Sequence, residues 1–358
     1  MPTVCVIGGY GAVGSRLCSL LCGNGVRVRI AGRNFDKASA LAGRLGALAS
    51  PAAVDATDPA SLEALCRDGD LLANCAGPYR IIRDRPALAA LSAGIPYMDA
   101  AGDEYLMGIL EPRAPEFAAS GRPFLLSCGT YPGLSGLFPR AMATRLLDSV
   151  EGFSLYTDFS RCTVTWTAAY DIVSTLQKDT GSGMAFWEGG ELRRDAQGVR
   201  RRRIPGLAGE RVLYPCFSEE MRRLAGDIGA FEGHAYLSLS EANLGSLFEA
   251  CAPGLSEEAQ KEAAQKLVEA FDANEPETHF FLEIEGERAG LPCAYEATLH
   301  AGIGSLQYVS DIMAASALLL LEGQGVPGAG YLAGGLDPCA LLDALEREGA
   351  SIAVSSPG

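Results

Sequence analysis

Apolar and polar residues follow different patterns in the two halves of the chain. Up to about residue 130, short apolar runs of strand length alternate with segments whose apolar residues recur every three or four positions. This alternation is typical of a parallel sheet whose strands are joined by crossover helices. Beyond about residue 150, segments of period two predominate, which predicts a second domain of α+β type with a mostly antiparallel sheet.

The first region contains six predicted strands with helices between them. The strands are Val4–Ile7, Val26–Asn34, Ala52–Asp58, Asp70–Tyr79, Ile95–Asp99 and Arg122–Cys128, and helices follow at Asp36–Leu45, Pro59–Leu65 and Pro86–Ser92. In a doubly wound sheet, ligands bind at the carboxyl ends of the strands. The loops after the fourth, fifth and sixth strands are therefore the expected place for a site.

The second region is predicted to combine strands with one amphipathic helix, which begins after a cap at Ser256. The predicted strands are Val150–Phe159, Cys162–Tyr170, Arg211–Cys216, His234–Leu239, Phe280–Ile284 and Ala294–Leu299. A further helix, Leu306–Leu321, and the tail after it are expected to return to the first domain. The predicted domains are therefore residues 1–148, 149–303 and the returning segment 304–358.

Glycines follow the first strand in the order Gly9-x-Gly11-x-x-Gly14, directly before a helical pattern. One glycine allows the tight turn, the next allows the backbone to approach a pyrophosphate, and the last lets the helix lie close to the strand. The free N–H groups and positive end of that helix then face the phosphates. The pattern predicts an α/β protein with a Rossmann-type doubly wound parallel sheet, whose dinucleotide turn comprises Gly9, Tyr10, Gly11, Ala12, Val13 and Gly14.

The second strand ends in Gly32-Arg33, where an enzyme that prefers NAD carries an acidic residue for the ribose 2′-hydroxyl. An arginine at this position suits the 2′-phosphate of NADP. We therefore expect Arg33 to bind that phosphate, with Asn34 and Lys37 as helpers. Asp55, near the end of the third strand, is expected beside the adenine.

Composition excludes several other classes of protein. The net charge of −15 over 358 residues disfavours general nucleic-acid binding, which requires a basic face. The eleven cysteines are scattered without a Cys-x-x-Cys pair, so we expect reduced thiols and no metal site. The longest apolar run, Ile312–Leu321, is half a membrane span, and the first strand begins at the amino terminus. We therefore expect a cytoplasmic protein without a membrane segment.

Five motifs together resemble the saccharopine dehydrogenase-like, NADP-binding oxidoreductase family. They are Gly8–Gly14 with Ala31–Arg33, Val54–Asp58, Asn74–Tyr79, Tyr97–Glu104 and Gly129–Ser135. The resemblance covers roughly residues 3–140 and implies a nicotinamide-dependent reductase that forms or reduces a C=N bond. By its compact size, the chain resembles one branch of this family, the thiazolinyl imine reductases of siderophore assembly lines. These enzymes reduce a thiazoline ring held on a carrier protein.

Hydride transfer to an imine requires a positioned nicotinamide and a proton for the nitrogen. Asn74, Ala76, Gly77 and Pro78 are expected to run under the nicotinamide. The candidate catalytic residues are Tyr79, Glu104, which shares its loop with Asp99 and Asp103, and His234 of the second domain. A substrate that arrives already protonated would need no dedicated acid.

Seven arginines lie between Arg193 and Arg211 in an otherwise acidic chain. They form either a solvated hairpin with internal ion pairs or a docking surface for an acidic carrier protein. The other functional alternatives are an opine- or saccharopine-type amino-acid dehydrogenase, a regulatory protein that binds NADP without turnover, and an enoyl reductase. We also expect a homodimer, by analogy with other exposed sheets of this type.

Overall fold

The computed structural model describes residues 1–177, 182–194, 198–250, 252, 254–273 and 276–356. The chain forms two units, each with its own sheet. The first unit comprises Met1–Leu134 and Leu306–Leu345, and the second comprises Ser135–Ser305 and Glu346–Gly358.

The sheet of the first unit is parallel at every pairing, as its crossover pattern predicted. Its strand order, β15-β6-β5-β4-β1-β2-β3, changes direction between β1 and β4, where a doubly wound sheet binds its ligand. The strands are β1 (Thr3–Ile7), β2 (Arg27–Gly32), β3 (Ala49–Ala53), β4 (Leu71–Asn74), β5 (Tyr97–Asp99), β6 (Pro123–Leu126) and β15 (Gly328–Tyr331).

The central strands of this sheet are buried along almost their whole length, as is usual for a parallel sheet with helices on its faces. Asn34, Asp58 and Asp103 each cap the helix that follows them with a side-chain oxygen. The helices are α1 (Ala12–Gly23), α2 (Phe35–Leu45), α3 (Pro59–Cys66), α4 (Tyr79–Ile82), α5 (Arg85–Ala93), α6 (Glu104–Leu110), α7 (Ala114–Ala119), α13 (Ser305–Leu321), α14 (Leu332–Gly335) and α15 (Pro338–Arg347), with a 3₁₀ turn at Glu111–Arg113.

The sheet of the second unit is mixed, with the order β10-β11-β12-β7-β13-β14-β16 and with β8 joined to β12 and β9. Among the described strands of this second sheet, only β12 and β7 pair in parallel. This confirms the predicted, mostly antiparallel arrangement. The strands are β7 (Ser149–Asp158), β8 (Ala185–Glu188), β9 (Glu191–Arg194), β10 (Arg200–Arg203), β11 (Glu210–Pro215), β12 (Glu232–Leu239), β13 (Thr278–Arg288), β14 (Leu291–Ala301) and β16 (Ser351–Ser355).

Three helices of the second unit pack over one part of this sheet and form a shared apolar core with it, which includes Val173, Leu239, Leu247 and Leu267. The helices of the unit are α8 (Leu134–Leu146), α9 (Trp166–Leu176), α10 (Glu219–Ile228), α11 (Glu241–Ala250) and α12 (Glu257–Ala270), of which α9, α11 and α12 contribute to this core. No helix in the described part of the chain has both the length and the apolar character needed to cross a membrane.

Two predicted strands are wrong. In each, a side chain that accepts a backbone N–H starts a helix or a turn instead. The segment Cys162–Tyr170 enters α9, because the Thr165 side chain accepts a hydrogen bond from the Ala168 N–H and starts a helix. Its β-branched and aromatic residues favour a strand, but Ala169 and Val173 lie four apart and are both buried. The predicted third strand starts and ends too late, because Asp55 accepts a hydrogen bond from the Thr57 N–H and forms a turn.

The units also differ from the predicted domain ranges at two places. Helix α8 belongs to the second unit, where Ser135 donates a hydrogen bond to the buried Glu220 and Arg140 pairs with Asp227. The tail returns to the first unit only as far as Leu345, and β16 then pairs with β14 of the second sheet. A strand of only five residues, such as β16, carries no periodic signal long enough to reveal its partner.

Gly286 lies at an irregularity in the pairing of β13 with β7, where a Cβ atom would overlap the Ser149 carbonyl oxygen. We expect Gly286→Ala to lower the free energy of unfolding by about 1–3 kcal/mol, because the backbones must separate. The control is Gly226→Ala in α10, where a Cβ meets no atom within 4 Å. It is expected to stabilise the protein by about 0.5–1 kcal/mol. Urea unfolding followed by circular dichroism measures both, and equal midpoints would contradict the explanation.

Candidate cofactor and active site

The glycine turn connects β1 to α1 at the point where the sheet order reverses. The Gly9 N–H donates a hydrogen bond to the Ala31 carbonyl at the end of β2, and the Gly11 N–H donates to the Gly8 carbonyl. Helix α1 then begins without a side-chain cap and without an acidic residue in its first turn. Its first N–H groups and its positive end are therefore available to an anion.

Two of these glycines are required by close backbone contacts. Gly8 has a φ of 70°, and a Cβ there would lie 2.9 Å from the Ala76 amide nitrogen. A Cβ at Gly14 would overlap the Gly8 carbonyl oxygen, so α1 can approach the turn only because residue 14 has no side chain. This arrangement matches the division of roles that the glycine spacing predicted.

Two cations stand beside the start of α2, where the 2′-phosphate was expected. The side chains of Arg33 and Lys37 are exposed and make no hydrogen bond or salt bridge with any residue that the structure describes. The Asn34 side chain instead caps α2 by accepting a hydrogen bond from the Lys37 N–H at 2.9 Å. The corner thus offers two unpaired positive charges and a helix amino terminus, which suits a phosphate.

Tyr10 and Asp55 shape the two sides of this corner. The Tyr10 ring lies against Gly32, where a Cβ would be 2.6 Å from the ring, and its hydroxyl accepts a hydrogen bond from the Asn34 N–H at 3.0 Å. Hydrogen bonds from the Thr57 N–H and hydroxyl, together with the positive charge of Arg33, lower the pKa of Asp55. The carboxylate is therefore ionised near the predicted phosphate site and close to its arginine.

Helix α13 packs against the other end of the turn. The Ser310 hydroxyl donates a hydrogen bond to the Val13 carbonyl at 3.0 Å, and Arg16 forms a two-point pair with the buried carboxylate of Asp311. Sequence reasoning missed this connection, because the two partners lie 295 residues apart and neither belongs to a motif. It holds the first turn of α1 in place next to Ala12.

The loop after β4 is the predicted nicotinamide loop, and its polar groups point inward. The Asn74 side chain is fully buried and accepts a hydrogen bond from the Ala76 N–H at 3.1 Å. Gly77 and Pro78 continue the loop at half-buried positions. The loop starts directly beside the glycine turn, because the Cys75 N–H donates to the Ile7 carbonyl at the end of β1.

Tyr79 lies at the start of α4 with only 6% of its surface exposed. Its hydroxyl donates a hydrogen bond to the Asn74 carbonyl and accepts one from the Ala101 N–H, each at 3.3 Å. Burial, with the nearby Asp99 as the next cause, raises the pKa of Tyr79 well above its usual range. The phenol thus stays neutral and connects the loop after β4 to the loop after β5.

Asp99, the last residue of β5, is fully buried, and burial raises the pKa of its carboxyl group to about 7. One carboxyl oxygen accepts hydrogen bonds from the Gly102 N–H at 2.5 Å and the Ser127 N–H at 2.9 Å. Ser127 has a φ of 59°, which is uncommon for a residue with a side chain. The sequence placed Asp99 with two other acids, Asp103 and Glu104, at the end of the fifth strand, and only its burial separates it from them.

The other two predicted catalytic residues have different surroundings. Glu104 is the half-buried first residue of α6 in the first unit. His234 lies on β12 in the second unit, between the rings of Phe186 and Tyr236, and its Nε2 contacts a carboxylate oxygen of Glu232 at 2.8 Å. His234 and Glu232 line an open depression of about 290 Å³ on the second sheet, together with three further glutamates, Glu283, Glu285 and Glu296.

The arginine-rich segment forms strands β9 and β10, apart from residues 195–197, which lie outside the described residues. Arg193 pairs with Glu188 and Glu191, Arg201 pairs with Glu241, and Arg202 pairs with Glu283. Arg203 has no partner among the residues that the structure describes. At least three of the seven arginines are thus balanced by acids of the same unit, which favours the alternative of internal ion pairs for this part of the segment.

Metal ligands do not converge in the described ranges, where no three His, Cys, Asp or Glu side chains form a group able to hold a metal ion. The first unit fits a dinucleotide, because its turn closes only around glycines and its second strand ends at unpaired cations. The residues that would hold the cofactor are the turn residues 9–14, the corner residues Arg33 and Lys37, and the loop 74–78.

Comparisons with known proteins bear on the cofactor and on the fold. Residues 4–116 match the model of the saccharopine dehydrogenase NADP binding domain, which confirms NADP as the cofactor. A stretch of 76 residues is 34% identical to a probable mitochondrial saccharopine dehydrogenase-like oxidoreductase of Arabidopsis thaliana, and covers 21% of this chain and 17% of that relative.

The fold has a close counterpart over its whole length. Apo saccharopine dehydrogenase (L-Glu forming) from Saccharomyces cerevisiae superposes with a TM-score of 0.71 at 14% identity, over 99% of this chain and 100% of that one. At this identity the likeness concerns the fold alone, and it confirms the predicted α/β architecture. Residues 4–116 are thus similar to the NADP-binding domain of saccharopine dehydrogenases, and the whole chain has the fold of a saccharopine dehydrogenase.

Proposed function

We propose that this protein is an NADPH-dependent reductase that transfers hydride to the C=N bond of an imine. The observation that carries the proposal is the convergence of the loops after β4, β5 and β6 on one edge of the sheet, beside the cofactor turn. Imine chemistry is what the family resemblance implies for a reductase of this type. The cofactor, when bound, supplies the hydride.

The chain contributes orientation and a controlled environment at this edge. The buried hydrogen bonds of Asn74 and Tyr79 keep the loop after β4 in one conformation, so that it forms a rigid floor for the cofactor. Preorganised loops of this kind hold two reacting groups in a near-attack geometry, which accounts for much of the rate enhancement in such reactions. A proton for the imine nitrogen then comes from Glu104 or arrives with the substrate.

Two classes of imine substrate are compatible with this proposed reaction. A free opine-like condensate would make the enzyme an amino-acid dehydrogenase of the saccharopine type, whereas a thiazoline on a carrier protein would place it in siderophore assembly. The pairing of Arg193, Arg201 and Arg202 within the chain supports a free substrate, because neighbouring acids already neutralise these three charges. A regulatory protein without turnover is the alternative outside enzymology.

Arg33 is expected to determine the preference between the two nicotinamide cofactors. Arg33→Gln should weaken NADPH binding by about ten- to hundredfold and leave NADH binding unchanged, because a charged hydrogen bond to the 2′-phosphate is lost. Arg27→Gln, at the other end of β2, is the control and should bind both cofactors as the wild type does. Titration of cofactor fluorescence measures the four affinities. Wild-type protein that prefers NADH would contradict the proposed role of Arg33.

The candidate acids are ranked by turnover of a free cyclic imine at saturating NADPH. Glu104→Gln is expected to lower kcat by about a hundredfold if it donates the proton. Tyr79→Phe should lower kcat by about tenfold through misplacement of the loop after β4, with a smaller change in pH dependence. If His234→Gln is the most damaging change, the acid belongs to the second unit instead. If all three variants keep the wild-type rate, the catalytic assignment is wrong.

Turnover itself separates the enzyme from the regulatory alternative. Mixing the protein with NADPH and a series of imines should give a substrate-dependent loss of absorbance at the reduced nicotinamide band. Binding of NADPH without any loss, across free and carrier-bound imines, would favour a sensor of cofactor level. A rate seen only with carrier-bound thiazoline, and reduced by Arg203→Ser, would select the siderophore alternative.

A further inference from the structure

Asp99 connects the loops that form the active edge of the sheet. It ends β5 in direct register with Asn74, the last residue of β4. Its side chain accepts the amide hydrogens of Gly102 and Ser127, and its carbonyl accepts the Cys128 N–H at 2.7 Å. One residue therefore contacts the loops after β5 and β6 and lies beside the loop predicted to carry the nicotinamide.

The second carboxyl oxygen of Asp99 is buried outside good hydrogen-bonding geometry, although the Tyr97 hydroxyl and the Ala101 N–H lie close enough to the carboxyl group to lower its pKa. The Asn74 side-chain nitrogen and the Tyr97 hydroxyl are also buried and outside good hydrogen-bonding geometry. The Tyr97 hydroxyl lies close to both Asn74 and Asp99. Asp99 forms no salt bridge with any residue that the structure describes. A buried carboxylate with one oxygen unsatisfied and no counter-charge is costly, so the site is incomplete with respect to positive charge.

Three of the titratable groups around Asp99 keep their protons at neutral pH, because burial raises their pKa values. Tyr97 on its own strand and Tyr79 on α4 both have pKa values raised well above the usual range by burial. Burial raises the pKa of Cys75, in the loop after β4, to about 12. Cys128, in the loop after β6, faces Tyr97. Asp99 is therefore the group of this cluster whose charge changes in the physiological range.

We propose that the Asp99 carboxylate is the charge partner of the oxidised nicotinamide ring, and that it makes this site distinguish NADP⁺ from NADPH. The inference rests on the proposed function, since it requires the ring to lie at the carboxyl ends of β4 and β5. The oxidised ring carries one positive charge and the reduced ring carries none. Only the oxidised ring offers the counter-charge that the buried carboxylate lacks.

Proton linkage follows from this difference. A nearby positive charge favours the carboxylate and lowers the pKa of Asp99 from about 7, so NADP⁺ binding releases a proton from Asp99 and NADPH binding does not. Affinity for NADP⁺ should consequently rise with pH through this range. The 2′-phosphate titrates near pH 6, but it is common to both forms of the cofactor and cancels when they are compared.

Isothermal titration calorimetry in buffers of different ionisation enthalpy measures the protons released. For a pKa lowered by about one unit, wild-type protein at pH 6.5 should release about half a proton more with NADP⁺ than with NADPH, and the NADP⁺ to NADPH affinity ratio should rise about tenfold from pH 5.5 to 8. Asp99→Asn keeps the shape and retains one acceptor oxygen for the Gly102 and Ser127 N–H groups, and it should abolish the difference.

Asp70→Asn is the matched control. Asp70 also accepts a backbone N–H, that of Thr3, but it lies before β4, at the opposite edge of the sheet from Asp99. It should retain the wild-type difference. Equal proton release with the two cofactors in wild-type protein would overturn the role of Asp99 even if Asp99→Asn does not fold. Failure of both cofactors to bind would instead contradict the NADP site itself.

Discussion

The contact between the start of α1 and the end of β1 is the constraint on which the rest of the first unit depends. Gly14 meets the backbone of Gly8, and Gly8 in turn meets the backbone of the loop after β4. No side chain fits at either place. The close approach brings the amino end of α1, the loop after β4 and the end of β2 into one crevice, and it exposes free amide groups to a pyrophosphate.

The neighbouring polar cluster shows how this crevice is kept rigid. Tyr79, Asn74 and Asp99 make buried hydrogen bonds that join the loops after β4, β5 and β6. Burying such groups is favourable only when they are paired, so the conformation of the loops is strongly specified. The same low-polarity environment raises the pKa of Asp99 to about 7 and makes it sensitive to any charge placed nearby.

The two sides of the sheet in the second unit have different surroundings. One side of its mixed sheet is covered by helices, and part of the other side carries glutamates, His234 and an ion-paired arginine strand. Alternation of apolar and polar residues is sufficient to form such a sheet without a ligand. None of the five quoted motifs lies in the sheet of this unit.

The sequence by itself determined the Rossmann-type sheet, the cofactor turn and the arginine corner, because these depend on local backbone geometry and on residues a few positions apart. Helix α12 with its cap at Ser256 was predictable for the same reason. Only the tertiary structure decided that Cys162–Tyr170 enters a helix, that β16 joins the second sheet, and that Arg16 pairs with Asp311. Only it separated Asp99 from Asp103 and Glu104, since burial is created by strands and loops that are distant in the chain.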